Sequence, residues 1–455
     1  IILVMALPAF GVLLYLFVQL DIGHRYANRR VQESILSTVQ YVPRQTELMT
    51  RLRTELPEVH NLAEYTLRSG DYPVYENTAV TYYPMGQDKI GALIEALQSA
   101  EHFIFLEYFI IEEGDVWGRI LKILEEKVRA GVEVRVLYDG TCTFYRLPYG
   151  YPKRMEALGI RCKMFAPLRP LVSTYYNNRD HRKIVVIDGQ IAYTGGMNVA
   201  DYYIKGTEVV GSWNDMHCRI DGDEVNTLQA IFLKMWNKVS GQHIHGAEYF
   251  RAKRQDYLVD GLKPDTTATA YHKMVGIINR EPHISKDIIR YFYVNAINDA
   301  QDSIKLISPY FTLSHKLKKA LKNAAKRGVK VEIMLSTKSD IPLTPDCGFY
   351  NAHKLMKAGC HIWMYTPGFH HTKIIMVDGK FCTVGSANLN ARSLRWDYEE
   401  NAVIIDPQTT KQLIDLFDKD KADSFLLTEK KWREWRTGWQ RFRGWFAAKV
   451  LTPFL

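Results

Sequence analysis

The first twenty residues, IILVMALPAFGVLLYLFVQL, contain no charged side chain. At 1.5 Å rise per residue they span about 30 Å, the hydrocarbon thickness of a bilayer, and predict a transmembrane helix over 1–20. Pro8 and Gly11 would weaken a soluble helix but are tolerated in a membrane one. A secretory signal peptide would show a basic leading region and a small-residue cleavage site, and this stretch has neither. Arg25, Arg29 and Arg30 follow at once and place that flank on the cytoplasmic side. Residues 21–75 are polar and helix-prone, which reads as a juxtamembrane connector.

Beyond it the pattern is duplicated. AEHFIFLEYF at Ala100–Phe109 is echoed by AQDSIKLISPYF at Ala300–Phe311. Each is followed by an amphipathic helix, a terminating glycine (Gly131, Gly328) and an alternating β-branched run. A second pair, MEALGIRCKMF (Met155–Phe165) and LMKAGCHIWMY (Leu355–Tyr365), comes next. Strands alternating with helices predict an α/β sandwich in two similar halves, 76–250 and 251–428, with helices on a mainly parallel sheet. The stretch around Gly241–Thr267, rich in His, Lys, Asp and Gly, is the expected join.

The repeats converge on His181-Arg-Lys183-Ile-Val-Val-Ile-Asp188 with Gly195-Gly196-Met197-Asn198, and on His371-Thr-Lys373-Ile-Ile-Met-Val-Asp378 with Gly385-Ser386-Ala387-Asn388. Both read H-x-K-x4-D-x6-G-[GS]-x-N. Residues two apart in a strand share a face, so His181 lies beside Lys183 and His371 beside Lys373. Asp188-Gly189 and Asp378-Gly379 are turn signals that return the chain as a second strand carrying Asn198 or Asn388. Each copy thus offers an imidazole, an ammonium and an amide, and two copies face to face would clamp a phosphate between two histidines. Asp188 and Asp378 are candidate catalytic residues, though a place before Gly suits a structural turn equally well. His370 points to the opposite strand face from His371. A lysine beside each histidine would repel a cation, so no metal is expected.

Net charge is +9, which favours an anionic partner but does not choose between nucleic acid and lipid. Its placement does. From Lys430 to Lys449 there are seven Lys/Arg and one acid, Glu434. Trp432, Trp435, Trp439, Phe442 and Phe446 recur at steps of three and four and predict one amphipathic helix over 429–455, with Arg441 and Arg443 among the cations around the stripe. Such a helix suits an anionic lipid interface, or it packs its Trp face on the protein. The 47% apolar and 24% charged composition is that of a folded protein. Six cysteines without C-x-x-C or zinc-like spacing suggest reduced thiols.

The paired H-x-K-x4-D signature resembles the phospholipase D superfamily. NAVTYYPMGQDKIGALIEALQSAEHFIFLEYFI, TGGMNVADYY, GSWNDMHCRIDG, GSANLNARS and the closing KVLTPFL make the whole chain similar to the bacterial cardiolipin synthases of the two-motif type. Two departures stand out. Gly196 occupies a place where the motif often has Ser, so a weaker hydroxyl contact is expected in the first half. Such synthases also often carry two hydrophobic spans, and one is visible here.

The resemblance implies two phospholipase D-like halves with the active site between them, and transfer of a phosphatidyl group from one phosphatidylglycerol to another through a phosphohistidine. His181 would be nucleophile and His371 acid and base. Lys183, Lys373, Asn198, Asn388 and Ser386 would hold phosphate oxygens. Asp215, Glu399 and, more weakly, Glu107 would orient the histidines. No cofactor is implied. The implied partners are anionic phospholipids (phosphatidylglycerol, cardiolipin) and a membrane rather than nucleic acid, with a homo-oligomer left open. The implied place is the bacterial cell membrane, with the catalytic body on the cytoplasmic side and Trp432, Trp435, Trp439, Arg441 and Arg443 in membrane contact. The competing readings are a membrane-tethered hydrolase that uses water as acceptor, a nuclease, and a non-catalytic membrane scaffold.

Overall fold

The computed structural model describes residues 41–167, 178–250 and 273–451, apart from His243, His245, Ala247, His283, Lys286 and Pro342. The transmembrane helix expected over 1–20 and most of the expected join at 241–267 lie outside the described residues. Among the described residues no helix is long and apolar enough to cross a membrane.

One fifteen-stranded sheet runs through both halves. Its centre is Val74–Tyr83 paired antiparallel with Lys273–Arg280. Outward from the former run His217–Gly222, Ile191–Gly195, Lys183–Ile187, Phe103–Tyr108, Glu133–Asp139 and Arg161–Phe165. Outward from the latter run Glu399–Ile405, Phe381–Gly385, Ile374–Val377, Ser303–Ile307, Lys330–Ser336 and His361–Tyr365, closed by a short strand, Ser424–Leu426. The two lists correspond strand for strand, so the duplication read in the sequence is a duplication of fold.

The expectation of a mainly parallel sheet is corrected. Parallel pairing is confined in this sheet to the strand–helix–strand units, such as Phe103–Tyr108 with Glu133–Asp139 and Ser303–Ile307 with Lys330–Ser336. The motif strands join antiparallel because each enters a tight turn. Asp188 and Gly189 both have positive φ (52° and 67°), as do Asp378 and Gly379 (52° and 65°), the backbone of a mirror-image hairpin turn.

Those aspartates carry a second load. Asp188 accepts the backbone N–H groups of Glu101, His102 and Phe103 at 2.7–2.8 Å. Asp378 accepts those of Gln301, Asp302 and Ser303 at 2.8–2.9 Å. Each carboxylate therefore fastens the start of the neighbouring strand, at the end of its own strand remote from the His-x-Lys pair. Asp188 and Asp378 are structural, which corrects their place among the catalytic candidates.

Helices cover the outer faces, and a middle core fills the space shared by the halves. Val186, Ala192, Ile220, Met376, Val384 and Ile404 from both sets of strands meet the helices Val225–Ser240 and Pro407–Asp420 there. Burial of each such side chain contributes roughly 1.5–3 kcal/mol, so the halves are held by the same force that builds each one. Residues 46–70, expected as part of a polar connector, form two helices, Thr46–Glu55 and Pro57–Gly70. Leu48, Leu52, Val59 and Leu62 are buried from them in the core of the second half. Polar residues dominate that stretch because only one stripe of each helix faces inward.

The C-terminal helix is also corrected. It is two helices, Glu429–Trp435 and Gly438–Phe446, separated where Arg436 is extended and Thr437 forms a reciprocal cap with Gln440. The break divides the aromatic stripe. Trp432 is buried and stacked on His353 (4.5 Å between ring centroids), and Trp435 meets Phe349 edge-on at 4.7 Å. Neither faces outward as a membrane contact would. Trp439, Phe442, Trp445 and Phe446 do. The second helix is seated closely: a Cβ at Gly444 would lie 2.7 Å from the carbonyl oxygen of Asp346. Arg436 and Arg443 both pair with the Asp346 carboxylate, Arg443 at 2.5 Å.

Removing either turn carboxylate strands three backbone donors. Asp188→Ala and Asp378→Ala are each expected to lower the unfolding free energy by roughly 2–4 kcal/mol, read by thermal or denaturant unfolding. An unchanged midpoint would remove the aspartates from this role.

Candidate active site

The His-x-Lys pairs stand just ahead of, and at the start of, their strands, on the rim where the halves meet. Backbone bonds fix them across that boundary. His181 N–H donates to the carbonyl of Tyr398 at 3.0 Å, and His371 N–H to that of Asn214 at 2.6 Å. A short parallel ladder, Phe369–His370 on Trp213–Asn214, extends the second crossing. Each motif histidine is thus held by the segment that follows the motif of the other half.

The side chains cross in the same way. Nδ1 of His181 donates to Oε2 of Glu399 at 3.0 Å, and Nδ1 of His371 donates to Oδ2 of Asp215 at 2.6 Å. Asp215 and Glu399 occupy equivalent places: Gly195 pairs with His217 and Gly385 with Asn401, each two residues beyond its acid. Each half therefore contributes a histidine to one pair and a carboxylate to the other. A carboxylate on Nδ1 leaves Nε2 as the reactive nitrogen of both rings.

Burial opposes charge on both acids, yet Asp215 stays below the usual carboxylate range because Lys373 and His371 stand beside it. Glu399 is likewise held down, against its burial, by His181 and Lys183 and by Ser386. Burial pushes His181 down, with Glu399 opposing and Lys183 assisting. At His371 burial and Lys373 outweigh Asp215 and take the imidazole to about 3. Lys373 itself falls to about 8, chiefly through burial. The protein groups alone thus hold both imidazoles neutral at pH 7, beside two buried amines and two carboxylates.

Lys183 donates to the carbonyl of its own His181, and Lys373 to that of His371. Nζ of Lys373 is 2.8 Å from Nδ1 of His371 and 3.6 Å from Oδ2 of Asp215. Because Nδ1 gives its proton to Asp215, the lysine acts on the ring as a nearby charge and not as a donor.

Both histidines and Asn198 line one open cleft of about 1080 Å³, with Phe109, Arg146, Tyr203, Trp213, Tyr310 and Asp340 among its walls. Five aromatics there, Phe109, Tyr202, Tyr203, Trp213 and Tyr310, were not singled out in the sequence. Phe109 lies 4.8 Å from the His181 ring; Trp213, Tyr203 and Tyr310 lie 5.2, 6.0 and 5.9 Å from His371. A signal did exist for two of them: Phe109 and Tyr310 lie one and three residues beyond the carboxyl ends of the equivalent strands Phe103–Tyr108 and Ser303–Ile307.

Several expected phosphate and orienting contacts are placed otherwise. Ser386 is fully buried and donates to Oε2 of Glu399 at 2.5 Å, so its hydroxyl supports the orienting acid. Asn198 accepts from Ile110 N–H (3.0 Å) and donates to the Tyr203 hydroxyl (2.7 Å). Asn388 is buried with its Oδ1 lacking a hydrogen bond. Glu107 pairs with Arg182 at 2.9 Å, beside Asp180, and orients neither histidine. His370 turns away and meets Asp420 at 3.0 Å. The difference at Gly196 is steric as well as chemical. A Cβ there would lie 2.3 Å from Oδ1 of Asp215. Asp215, one methylene shorter than Glu399, keeps its carboxylate against the strand and fills the place where the second half has a hydroxyl.

Residues 93–236 and 293–421 match the family described as cardiolipin synthase, PLD-like domain. An uncharacterised protein of Streptococcus mutans is 37% identical over 87% of this chain and 83% of its own length. A cardiolipin synthase of Oceanobacillus iheyensis is 32% identical over 93% of this chain and 86% of its own. Among solved structures, the phosphatidylserine synthase of Haemophilus influenzae superposes with a TM-score of 0.61 at 15% identity, covering 87% of this chain and 100% of that one, a likeness of fold.

If the crossed carboxylates set the imidazole tautomers, Glu399→Gln and Asp215→Asn each lower kcat by about a hundred- to ten-thousand-fold with KM little changed. Nitrogen-15 NMR of the histidines should show the Nδ1–H form lost in the ring whose acid was replaced. A variant with reduced kcat but unaltered tautomers would sink that role.

Proposed function

The chain belongs to the cardiolipin synthase, PLD-like domain family, a family of phospholipid phosphatidyltransferases, and we propose that it condenses two phosphatidylglycerols into cardiolipin and glycerol. The observation that carries this reading is the pair of imidazoles on one cleft, each with Nδ1 on a buried carboxylate of the opposite half and a lysine two residues away.

In the proposed sequence Nε2 of His181 attacks the phosphorus of the first phosphatidylglycerol. The P–O bond to the headgroup glycerol breaks, and His371 gives that oxygen its proton. The product of this step is phosphatidyl-His181 and free glycerol. His371, now neutral, takes a proton from a headgroup hydroxyl of the second phosphatidylglycerol. That oxygen attacks phosphorus, the P–N bond breaks, and cardiolipin leaves. The proton balance closes on His371.

The side chains of the free site favour the neutral form of both rings, His371 most of all, so in this order of events the acid takes up its proton only with substrate bound. The neutral form suits the nucleophile; the acid needs a proton. A phosphodiester monoanion entering beside His371 offsets the charge of Lys373 and raises the proton affinity of the ring. In this reading Lys183 and Lys373 offset the charge that builds on the phosphate oxygens, with the amide of Asn388 assisting. No metal is required, because histidine supplies the nucleophile and lysine the counter-charge. A chain of this kind works on lipid at the bacterial cell membrane, with its catalytic body on the cytoplasmic face.

The test is a lipid assay. Full-length protein in vesicles is given phosphatidylglycerol alone, and cardiolipin, glycerol and phosphatidic acid are followed, with His181→Ala and His371→Ala alongside. Equal cardiolipin and glycerol, reduced at least a thousandfold in both variants, is expected. Phosphatidic acid without cardiolipin would make water the acceptor and replace the transferase reading. Acid-free mass spectrometry should find the phosphatidyl adduct on His181; an adduct on His371 would reverse the two roles.

The rate should also follow the charge on Lys373. Its amine is protonated below about 8 and neutral above, so kcat/KM falls as pH rises through about 8. Lys373→Arg, whose guanidinium stays charged, should keep a lower rate but lose that alkaline limb.

A further inference from the structure

Large apolar side chains left exposed are not scattered over the molecule. Among the described residues, all but Ile284, Trp396 and Leu426 belong either to three loops at the cleft or to the C-terminal turns. Phe144, Tyr145 and Tyr149 lie on the loop after Glu133–Asp139, with Tyr145 95% exposed. Val209, 79% exposed, lies on the loop before Trp213. Ile341 and Leu343 lie on the loop after Lys330–Ser336. All three loops reach the cleft, because Arg146, Val210 and Asp340 from them form its walls. The loop of residues 140–150 contains no acid.

The C-terminal helix is tied, through the helix it packs on, to one of these loops. Gly444 packs on the backbone of Asp346, in the first turn of the helix Thr344–Met356. Asp346 is five positions beyond Ile341 at the cleft, a chain reach of at most about 18 Å. Trp439 (67% exposed), Phe442 and Trp445 stack in sequence along the free side of that helix. Lys430, Lys431, Arg433, Arg441 and Lys449 are exposed around them. Aromatic side chains beside cations are the chemistry of an anionic lipid interface, and apolar surface on this scale, centred on a cleft, marks an interaction face.

We propose that the mouth of the cleft and the C-terminal aromatic row form one membrane-docking face, which presents the histidine pair to phospholipid headgroups of an anionic bilayer without the lipid leaving its leaflet. This rests on the phosphatidyltransferase reading and names how its substrate arrives. The rim loops lie at lipid-headgroup level, the cleft opens toward the leaflet, and the cations beside Trp439 hold the face against negative lipid. The opposite end of the sheet, where Glu101 and His102 are exposed at the turn held by Asp188, points away.

All six native cysteines are buried, so a thiol-reactive fluorophore reports an introduced one. Full-length protein carrying His181→Ala, to stop turnover, is labelled singly at Tyr145→Cys, Val209→Cys, Phe442→Cys or Glu101→Cys and placed in phosphatidylglycerol vesicles doped with spin-labelled lipid. The first three labels are expected to be quenched at least threefold more than the Glu101 label, and the difference should shrink when phosphatidylcholine replaces phosphatidylglycerol. Equal quenching at all four positions overturns the proposal. In active protein, Phe144→Ser with Tyr145→Ser should lower the rate on vesicles about tenfold and leave the rate on dissolved short-chain phosphatidylglycerol within twofold. Equal loss on both substrates, or no loss on vesicles, also overturns it. Failure of unaltered protein to make cardiolipin from phosphatidylglycerol in either form would instead refute the transferase reading.

Discussion

Everything at the candidate site depends on a pair of crossed hydrogen bonds: His181 to Glu399 and His371 to Asp215. Neither half holds a complete unit of imidazole and carboxylate. The reactive rings are oriented only when the middle core has closed and the backbones of His181 and His371 have reached the carbonyls of Tyr398 and Asn214. The site is therefore complete only when the two halves are packed together. Because the orienting acids are buried, the bonds they make are not screened by water, and an acid without its histidine would be an uncompensated buried charge.

Duplication supplies a scaffold that is symmetric where strength is needed and unequal where the chemistry differs. The strand order, the hairpin turns and the aspartate fasteners repeat almost without change. The orienting acids do not. Asp215 sits against Gly196 and is charged beside Lys373; Glu399 reaches past Ser386, which shares it with His181. The two imidazoles accordingly experience different fields, with His371 the more strongly depressed in proton affinity.

Charge serves at two scales. Beside the histidines, burial makes the ammonium form of Lys183 and Lys373 costly. On the surface, cations flank an aromatic row, and the exposed apolar residues gather at the mouth of the same cleft. The net positive charge of the chain is thus divided between lysines buried beside the histidines and cations exposed beside an aromatic row.

The sequence by itself determined the duplication, the strand–helix–strand units, the His-x-Lys pairs and the turn at each Asp-Gly. All of these are local: periodicity of two or 3.6, and spacing within some twenty residues, are set by backbone geometry. It pointed to Asp215 and Glu399 as well, but not to which histidine each serves, because Asp215 is 156 residues from His371 and Glu399 is 218 from His181. Tertiary structure decided that exchange. It decided that Asp188, Asp378 and Ser386 support the site without facing it, and that Glu107 belongs to Arg182. It made the sheet mixed, because strand direction follows from which neighbours pack and not from the strands' own composition. It also split the terminal stripe at Thr437, turning Trp432 inward onto His353 and leaving Trp439 outside. A helical period gives a face but not its partner, and what covers that face is decided only by what the rest of the chain brings to it.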